Sequence, residues 1–135
     1  MNDAISTPSQ RPHTALVWIG RLIAAAMAFL FGMSGVMKLK GGSELAEGMA
    51  HLGLPHSMVV PLAVLELTCL VLYLLPWTSV LGAILLTGYL GGAICTHWRV
   101  GDTFVVQAGL GILVWLSLFL RDKRLWKLIP FRSLK

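Results

Sequence analysis

The stretch that decides the fold runs from Pro61 to Pro76, PLAVLELTCLVLYLLP, and contains a single side chain that is normally charged at neutral pH, Glu66. Together with Ser57–Val60 it reaches the roughly 20 residues that a helix needs to cross a bilayer. A carboxylate at that depth is costly unless it is protonated, paired with a cation or facing an internal cavity. The stretch therefore predicts a membrane-spanning helix whose functional candidate is Glu66.

The composition of the whole chain indicates the same class. Of 135 residues, 56% are hydrophobic and 13% are charged, and the mean hydropathy is +0.77. A soluble domain of this length could not bury so much apolar surface. The net charge is +5, but six of the 11 basic residues follow the last apolar run. Such a basic tail suits anionic lipid headgroups and sets topology, so we expect no nucleic-acid partner. The six are Arg121, Lys123, Arg124, Lys127, Arg132 and Lys135.

Apolar runs divide the chain into four predicted spans, which makes the expected fold an all-α integral membrane four-helix bundle. We expect a disordered N-terminal tail at 1–14 and one membrane domain at 15–135, whose end, 121–135, is the basic tail. The predicted spans cover about 15–37, 57–75, 80–96 and 104–120.

A short interfacial helix is predicted between the first two spans. Ser43 can cap it, and Leu45, Met49 and Leu52 fall on one face, so the helix would lie on the membrane surface and stop at Gly53. On span three, small residues recur every four positions, which predicts close helix packing. They are Gly88, Gly92 and Thr96, with Gly91 and Cys95 beside them; Gly32, Gly35, Gly109 and Gly111 are expected to pack similarly.

The topology follows from the basic residues, because four spans place both termini on one side. That side holds Arg11, Arg21 and the six tail residues, which makes 2 + 6 = 8, against three on the other side: Lys38, Lys40 and Arg99. The positive-inside rule then predicts cytoplasmic termini. The short link at 76–79 makes spans two and three antiparallel neighbours.

In that orientation, polar groups converge near the outer face. Glu66 lies nine residues into span two, about 13 Å below that face at helical rise. An apolar pocket with a few convergent polar groups is the usual form of a small-ligand site. The candidates for ligand binding or proton relay are Ser34, Lys38, Glu66, Tyr89, Thr96, His97 and Arg99.

Several of these residues also have a purely structural interpretation. Glu66 could be a protonated carboxyl that joins two helices by a hydrogen bond. Lys38 and Arg99 could be interfacial anchors, since long basic side chains extend to the headgroups. His97 could simply face water, although histidine is the residue best suited to proton exchange near neutral pH.

Metal and thiol chemistry are not indicated. Glu47 and His51 are four residues apart, but no third ligand is evident, so we expect a solvated helix pair and no metal site. Cys69 and Cys95 differ by about 15 Å in predicted depth, too far for a disulfide. No catalytic residue and no cofactor motif can be identified from the residues alone.

Four segments together carry a resemblance to a known family: FLFGMSGVMKL (Phe29–Leu39), LELTCLVLYLLP (Leu65–Pro76), LGAILLTGYLGGAICTHWRVG (Leu81–Gly101) and WLSLFLRDKRLWKLIP (Trp115–Pro130). From about Arg21 to its end, the chain resembles the DoxX-like family. The matching elements are S-G-x-x-K-L, a buried acid and T-H-x-R. In this sequence they are Ser34, Gly35, Lys38 and Leu39, then Glu66, then Thr96, His97 and Arg99.

The resemblance implies a small four-helix inner-membrane protein. Some relatives belong to quinone-linked sulfur oxidation, as the membrane partner of a thiosulfate:quinone oxidoreductase, or to membrane complexes that handle oxidative stress. We therefore expect a redox-associated membrane subunit, with quinone as its ligand or cofactor and a redox protein as its partner; a homo-oligomer is also compatible. The chain lacks the paired cysteines of membrane thiol oxidases. Two alternatives remain: a non-enzymatic carrier for a lipid or small metabolite, and a scaffold that docks partners.

Overall fold

The computed structural model describes residues 11–127 and contains helices and turns but no strand over that range. The helices are α1 (Arg11–Lys40), α2 (Ser43–His51), α3 (Val59–Leu74), α4 (Ser79–Arg99) and α5 (Val105–Arg121), with single 3-10 turns at His56–Met58 and Leu125–Lys127. The predicted all-α class is confirmed. Most of the predicted disordered tail, 1–10, and the end of the basic tail, 128–135, lie outside the described residues.

Three helical stretches of the described chain are long and apolar enough to cross a bilayer: Thr14–Lys40, His56–Leu74 and Ser79–Arg99. The fourth, Val105–Arg121, is apolar and 17 residues long, near the lower limit for a span. These helices form a membrane bundle. The boundaries differ from the predicted spans by three or more residues at three places: α1 begins at Arg11 and ends at Lys40, and α4 continues to Arg99.

The four long helices form a closed ring in the order α1, α3, α4, α5. Both α1 and α4 contact α3 and α5, so the predicted pairing of spans two and three is confirmed. The start of α1 lies beside the end of α5, where Ser117 Oγ donates to the Gly20 carbonyl at 2.8 Å. At the opposite end, α2 covers the bundle with Met49 buried. We call this opposite end the α2 end.

Glu66 belongs to the inward-facing side of α3. The buried residues on this side are spaced by four, three, four and three positions: Val59, Ala63, Glu66, Leu70 and Tyr73. Residues at that spacing lie on one helical face. The same face contacts α5 through Tyr73, whose hydroxyl donates to the Val114 carbonyl at 3.1 Å. The acid therefore occupies a core position in the bundle.

Glycine sets the helix spacing at two contacts. A Cβ on Gly82 would collide with the backbone of Tyr73, so α3 and α4 touch backbone to backbone there. Gly35 makes room for the side chain of Leu67 in the same way. The prediction that Gly88 and Gly92 pack against a neighbouring helix is wrong. A Cβ on either would meet nothing within 4 Å among the described residues, because both glycines line a cavity.

Candidate functional site

A cavity of about 610 Å3 lies between the helices at the α2 end. Its wall is mainly apolar, with leucines from α1, α3, α4 and α5 and with Met49 and Leu52 closing it on the α2 side. Gly88 and Gly92 form part of the wall, which explains why nothing packs on them. The polar residues of the wall are Ser34, Lys38, Glu66, Tyr89, Thr96, His97 and Gln107.

A buried ion pair joins two walls of the cavity. Lys38 Nζ lies 2.7 Å from Glu66 Oε2 and donates to Ser34 Oγ at 2.5 Å, while Ser34 Oγ donates to the same carboxylate oxygen at 3.3 Å. The Glu66 side chain is 3% exposed and that of Lys38 is 18% exposed. A pair at this depth is held together strongly, because little water screens the charges.

The sequence explains why these three groups meet. Ser34 and Lys38 are four residues apart on α1, so they lie one above the other on a helical face. Glu66 lies in the inward side of α3, which contacts α1. Lys38 therefore turns inward to the acid instead of extending to the interface as an anchor. Across the interface between α1 and α3, Glu66 contacts two groups: the ammonium of Lys38 and the hydroxyl of Ser34.

Two further polar side chains face the cavity from other helices. Tyr89 of α4 is half-buried in the wall. Gln107 in the first turns of α5 has a fully buried Oε1 without a hydrogen-bond partner in the described chain. Sequence reasoning missed Gln107 because it belongs to no motif. The sequence did offer one signal for it: a single amide side chain within an apolar span needs a hydrogen-bond partner.

A second cluster ties α2 to the link between α4 and α5. His51 Nε2 lies 3.1 and 3.0 Å from the two carboxylate oxygens of Asp102, and His97 Nδ1 lies 3.3 Å from Oδ2. The hydrogen bond from His51 is the main reason why the pKa of Asp102 lies below its usual value, and His97 adds to the effect. Asp102 is a second residue that sequence reasoning missed, since nothing local predicts two histidine partners.

The remaining candidates take separate positions. Arg99 donates from an Nη to the Leu52 carbonyl at 2.5 Å, so it holds the chain just after α2 and does not line the cavity. Thr96 lines the cavity while its hydroxyl donates to the Gly92 carbonyl at 2.8 Å. The structure thus brings six of the seven predicted site residues to one cavity and leaves Arg99 at its rim. Their part in binding stays a prediction.

Residues 11–127 form neither a cysteine pair nor a metal site. Cys69 is buried, Cys95 is exposed, and both are free. No group of three or more His, Cys, Asp or Glu side chains in that range is arranged to hold a metal ion. His51, which the sequence paired with Glu47, contacts Asp102 instead.

Comparison with models of known protein families shows to which family the chain belongs. The model of the DoxX-like family matches residues 22–119, most of the chain. The chain belongs to the DoxX-like family. The matched segment of this DoxX-like protein runs from the first half of α1 to the last turn of α5, so it includes the ion pair and every residue of the cavity wall. Searches of the curated proteins and of the solved structures found no match.

Proposed function

We propose that this DoxX-like protein is a redox-associated membrane subunit that holds a quinone head group in the cavity at the α2 end. The observation that carries the proposal is the buried pair of Lys38 and Glu66 in the wall of a mainly apolar cavity. A charge pair in that position is expensive to desolvate. Ionisable groups inside a membrane bundle usually mark a ligand or proton path.

The chemistry of the wall suits a quinone. Its two carbonyl oxygens accept hydrogen bonds, and the cavity offers donors in the ammonium of Lys38, the hydroxyl of Tyr89 and the amide of Gln107. These donors come from α1, α4 and α5, so they reach the cavity from different sides. The volume of about 610 Å3 lies within the range of known small-ligand sites. The apolar remainder of the wall suits a flat ring.

Reduction of a quinone to a quinol takes two electrons and two protons. The electrons come from a partner redox protein, and this chain handles protons. Glu66 rests as a carboxylate paired with Lys38. For each of the two protons in turn it takes up a proton relayed from His97 and passes it to the ligand, and Lys38 stabilises the carboxylate left behind. His97, whose side chain is 28% exposed, exchanges protons with water at the rim of the cavity.

The proposed setting is a bacterial inner membrane with both termini in the cytoplasm, as the distribution of basic residues predicts. The α2 end would then face the outer side, and protons would enter there through His97. The basic tail would lie at anionic lipid headgroups on the cytoplasmic side.

A second candidate is a non-enzymatic carrier or binding protein. It is favoured by one observation, which is that most of the cavity wall is apolar. A lipid or small metabolite with one anionic group would place that group at Lys38 and its apolar part along the leucines. No electron transfer is then needed, and Glu66 serves to hold Lys38 in place until the ligand arrives.

Mass spectrometry of what co-purifies in mild detergent separates these functions. The variants are Glu66→Gln, which removes the charge but keeps the shape, and Glu47→Gln as a matched control on the exposed surface of α2. We expect quinone with the wild type and with Glu47→Gln, and little or none with Glu66→Gln. Tyr89→Phe provides a second test in the same wall if Glu66→Gln does not fold.

Each other outcome has a definite meaning. A different metabolite or lipid that is retained by the wild type and lost in Glu66→Gln would refute the quinone proposal in favour of the carrier. Equal quinone retention in wild type and Glu66→Gln would remove Glu66 from the binding site. No specific ligand in any sample would leave the ion pair as a packing element and favour a scaffold that docks partners.

A further inference from the structure

A second void lies beside the cavity, and nothing in the proposed function uses it. This groove of about 620 Å3 runs between α4 and α5. Leu90 and Gln107 line both the groove and the cavity, so the two voids meet at these side chains. The groove is the more open of the two, and residues at its far edge, such as Ile112, are exposed on the bundle surface.

The groove is suited to an apolar occupant. Its polar side chains besides Gln107 are already engaged: Trp115 Nε1 donates to Thr87 Oγ1 at 2.9 Å, and Thr87 Oγ1 donates to the Ala83 carbonyl at 2.7 Å. Gly91 in its wall has nothing within 4 Å of an added Cβ among the described residues. The groove is therefore smooth, unfilled and without a free hydrogen-bonding group along most of its length.

Gln107 marks the boundary between polar and apolar surroundings. Its Oε1 is fully buried at the junction of the two voids and lacks a partner in the described chain. An unpaired buried amide oxygen costs free energy unless a ligand or water satisfies it. A quinone head group in the cavity would accept from the NH2 group of this amide, and the hydroxyl of the reduced quinol could donate to Oε1. The part of the ligand that continues past Leu90 would enter apolar surroundings.

We propose that the groove between α4 and α5 holds the isoprenoid tail of the quinone whose head group lies in the cavity, with the tail passing Leu90 and Gln107. The inference rests on the proposed function. A membrane quinone needs an apolar exit from its head-group site to the lipid. The groove adjoins the cavity at the two side chains that line both voids, and it opens at the bundle surface, where Ile112 is exposed. The tail length then becomes part of what the protein recognises.

Leucine substitutions at three glycines test the two voids independently. Gly91→Leu fills the groove, Gly88→Leu fills the cavity, and Gly109→Leu lines neither void; none of the three sites has a neighbour within 4 Å of an added Cβ. The probes are a methoxy-benzoquinone without a tail and the same head group with a four-unit isoprenoid tail. Binding of each is measured in lipid nanodiscs as an apparent Kd per lipid.

We expect Gly91→Leu to weaken binding of the tailed probe about fivefold and to leave the tail-less probe within about twofold, a modest effect because lipid solvates the tail almost as well as the groove does. Gly88→Leu should weaken both probes by about tenfold or more, because it occupies the head-group site. Gly109→Leu should change neither. Ala108→Leu, on the α5 wall of the groove, repeats the test if Gly91→Leu does not fold.

The proposal and the proposed function fail in different ways. If the wild type binds both probes and Gly91→Leu changes neither, or changes both equally, the groove does not hold the tail, although the head-group site stands. If Gly91→Leu converts a wild-type dimer to a monomer by native mass spectrometry, a second copy of the chain covers the groove and the proposal is overturned. If the wild type binds neither probe, the proposed function fails and this inference fails with it.

Discussion

The buried ion pair makes a sharp prediction about stability, because its two partners are not equally buried. Glu66 lies in the core with 3% of its side chain exposed, whereas Lys38, at 18%, stands only two residues before the end of α1. Lys38→Met keeps the length and the apolar stem of the lysine but removes its charge. It leaves a carboxylate in apolar surroundings, with Ser34 still donating a hydrogen bond to it.

The cost of Lys38→Met can be bounded from two sides. Removing one partner of a buried pair typically costs about 3–5 kcal/mol. The abandoned glutamate can escape by taking up a proton, which costs about 3–4 kcal/mol for an ordinary glutamate at pH 7. We therefore expect a loss of about 3 kcal/mol in the free energy of unfolding.

The reverse change should be milder. In Glu66→Gln the abandoned group is Lys38, whose long side chain can swing out to the interface, so we expect a loss of about 1–2 kcal/mol. The double variant Lys38→Met/Glu66→Gln carries no orphaned charge. It should be more stable than Lys38→Met alone by about 1–2 kcal/mol, although it contains one more substitution.

Reversible unfolding in mixed micelles with an increasing fraction of SDS, followed by circular dichroism, measures these differences. Lys40→Met is the matched control, because Lys40 is exposed at the end of the same helix; we expect a change within about 0.5 kcal/mol. The reasoning is refuted if Lys38→Met is no more destabilising than Lys40→Met. It is also refuted if the double variant shows the simple sum of the two single effects.

Three further predictions concern helix contacts and the α2 end. Gly82→Ala should destabilise the bundle by about 2 kcal/mol or more in the same assay, because the new Cβ collides with backbone, whereas Gly109→Ala should be neutral or slightly stabilising. Tyr73→Phe should cost about 1 kcal/mol, since it removes one buried hydrogen bond to a carbonyl of α5. The pKa of Asp102 is lowered from 3.8 in the folded state by its bond to His51, so the contact stabilises α2 above about pH 4 and is lost as the pH falls through the lowered value. The protection factors of the α2 amides, which are exchange rates corrected for the intrinsic pH dependence, should fall below that pH, and in Asp102→Asn they should be low at every pH. Equal protection factors in both proteins would contradict the contact.

Local patterns were sufficient for the elements and for part of the site. Hydropathy located the four long helices, and the helix breakers Gly41, Gly42 and Gly53 located α2, because both signals depend on residues close together in the chain. The predicted cap at Ser43 is wrong: the N-cap residue is Gly42, and Ser43 is the first residue of the helix. Helical periodicity also placed Ser34 and Lys38 on one face of α1 and marked Glu66 as the one acid in its span. These relations hold within single helices, so no knowledge of the packing was needed.

The contacts between helices could not be predicted in this way. Lys38 and Glu66 are 28 positions apart, and His51 and Asp102 are 51 apart, so their meeting depends on how each helix is rotated about its axis. In a soluble bundle, a polar face would reveal that rotation. Here the face of α1 that is exposed, with Leu22 and Phe29, is as apolar as the face that is buried.

The unknown rotation of each helix also explains why the glycine spacing did not predict which glycines pack against a neighbouring helix. A small residue at four-residue spacing predicts close packing only if its face meets another helix, and the sequence does not say which apolar face does so. Gly82 meets the backbone of α3, whereas Gly88 and Gly92 face a cavity. The sequence by itself therefore determined that this is a four-helix membrane protein with one buried acid. Only the tertiary structure decided which groups that acid faces, because lipid accepts every apolar face equally and helix rotation is settled by packing alone.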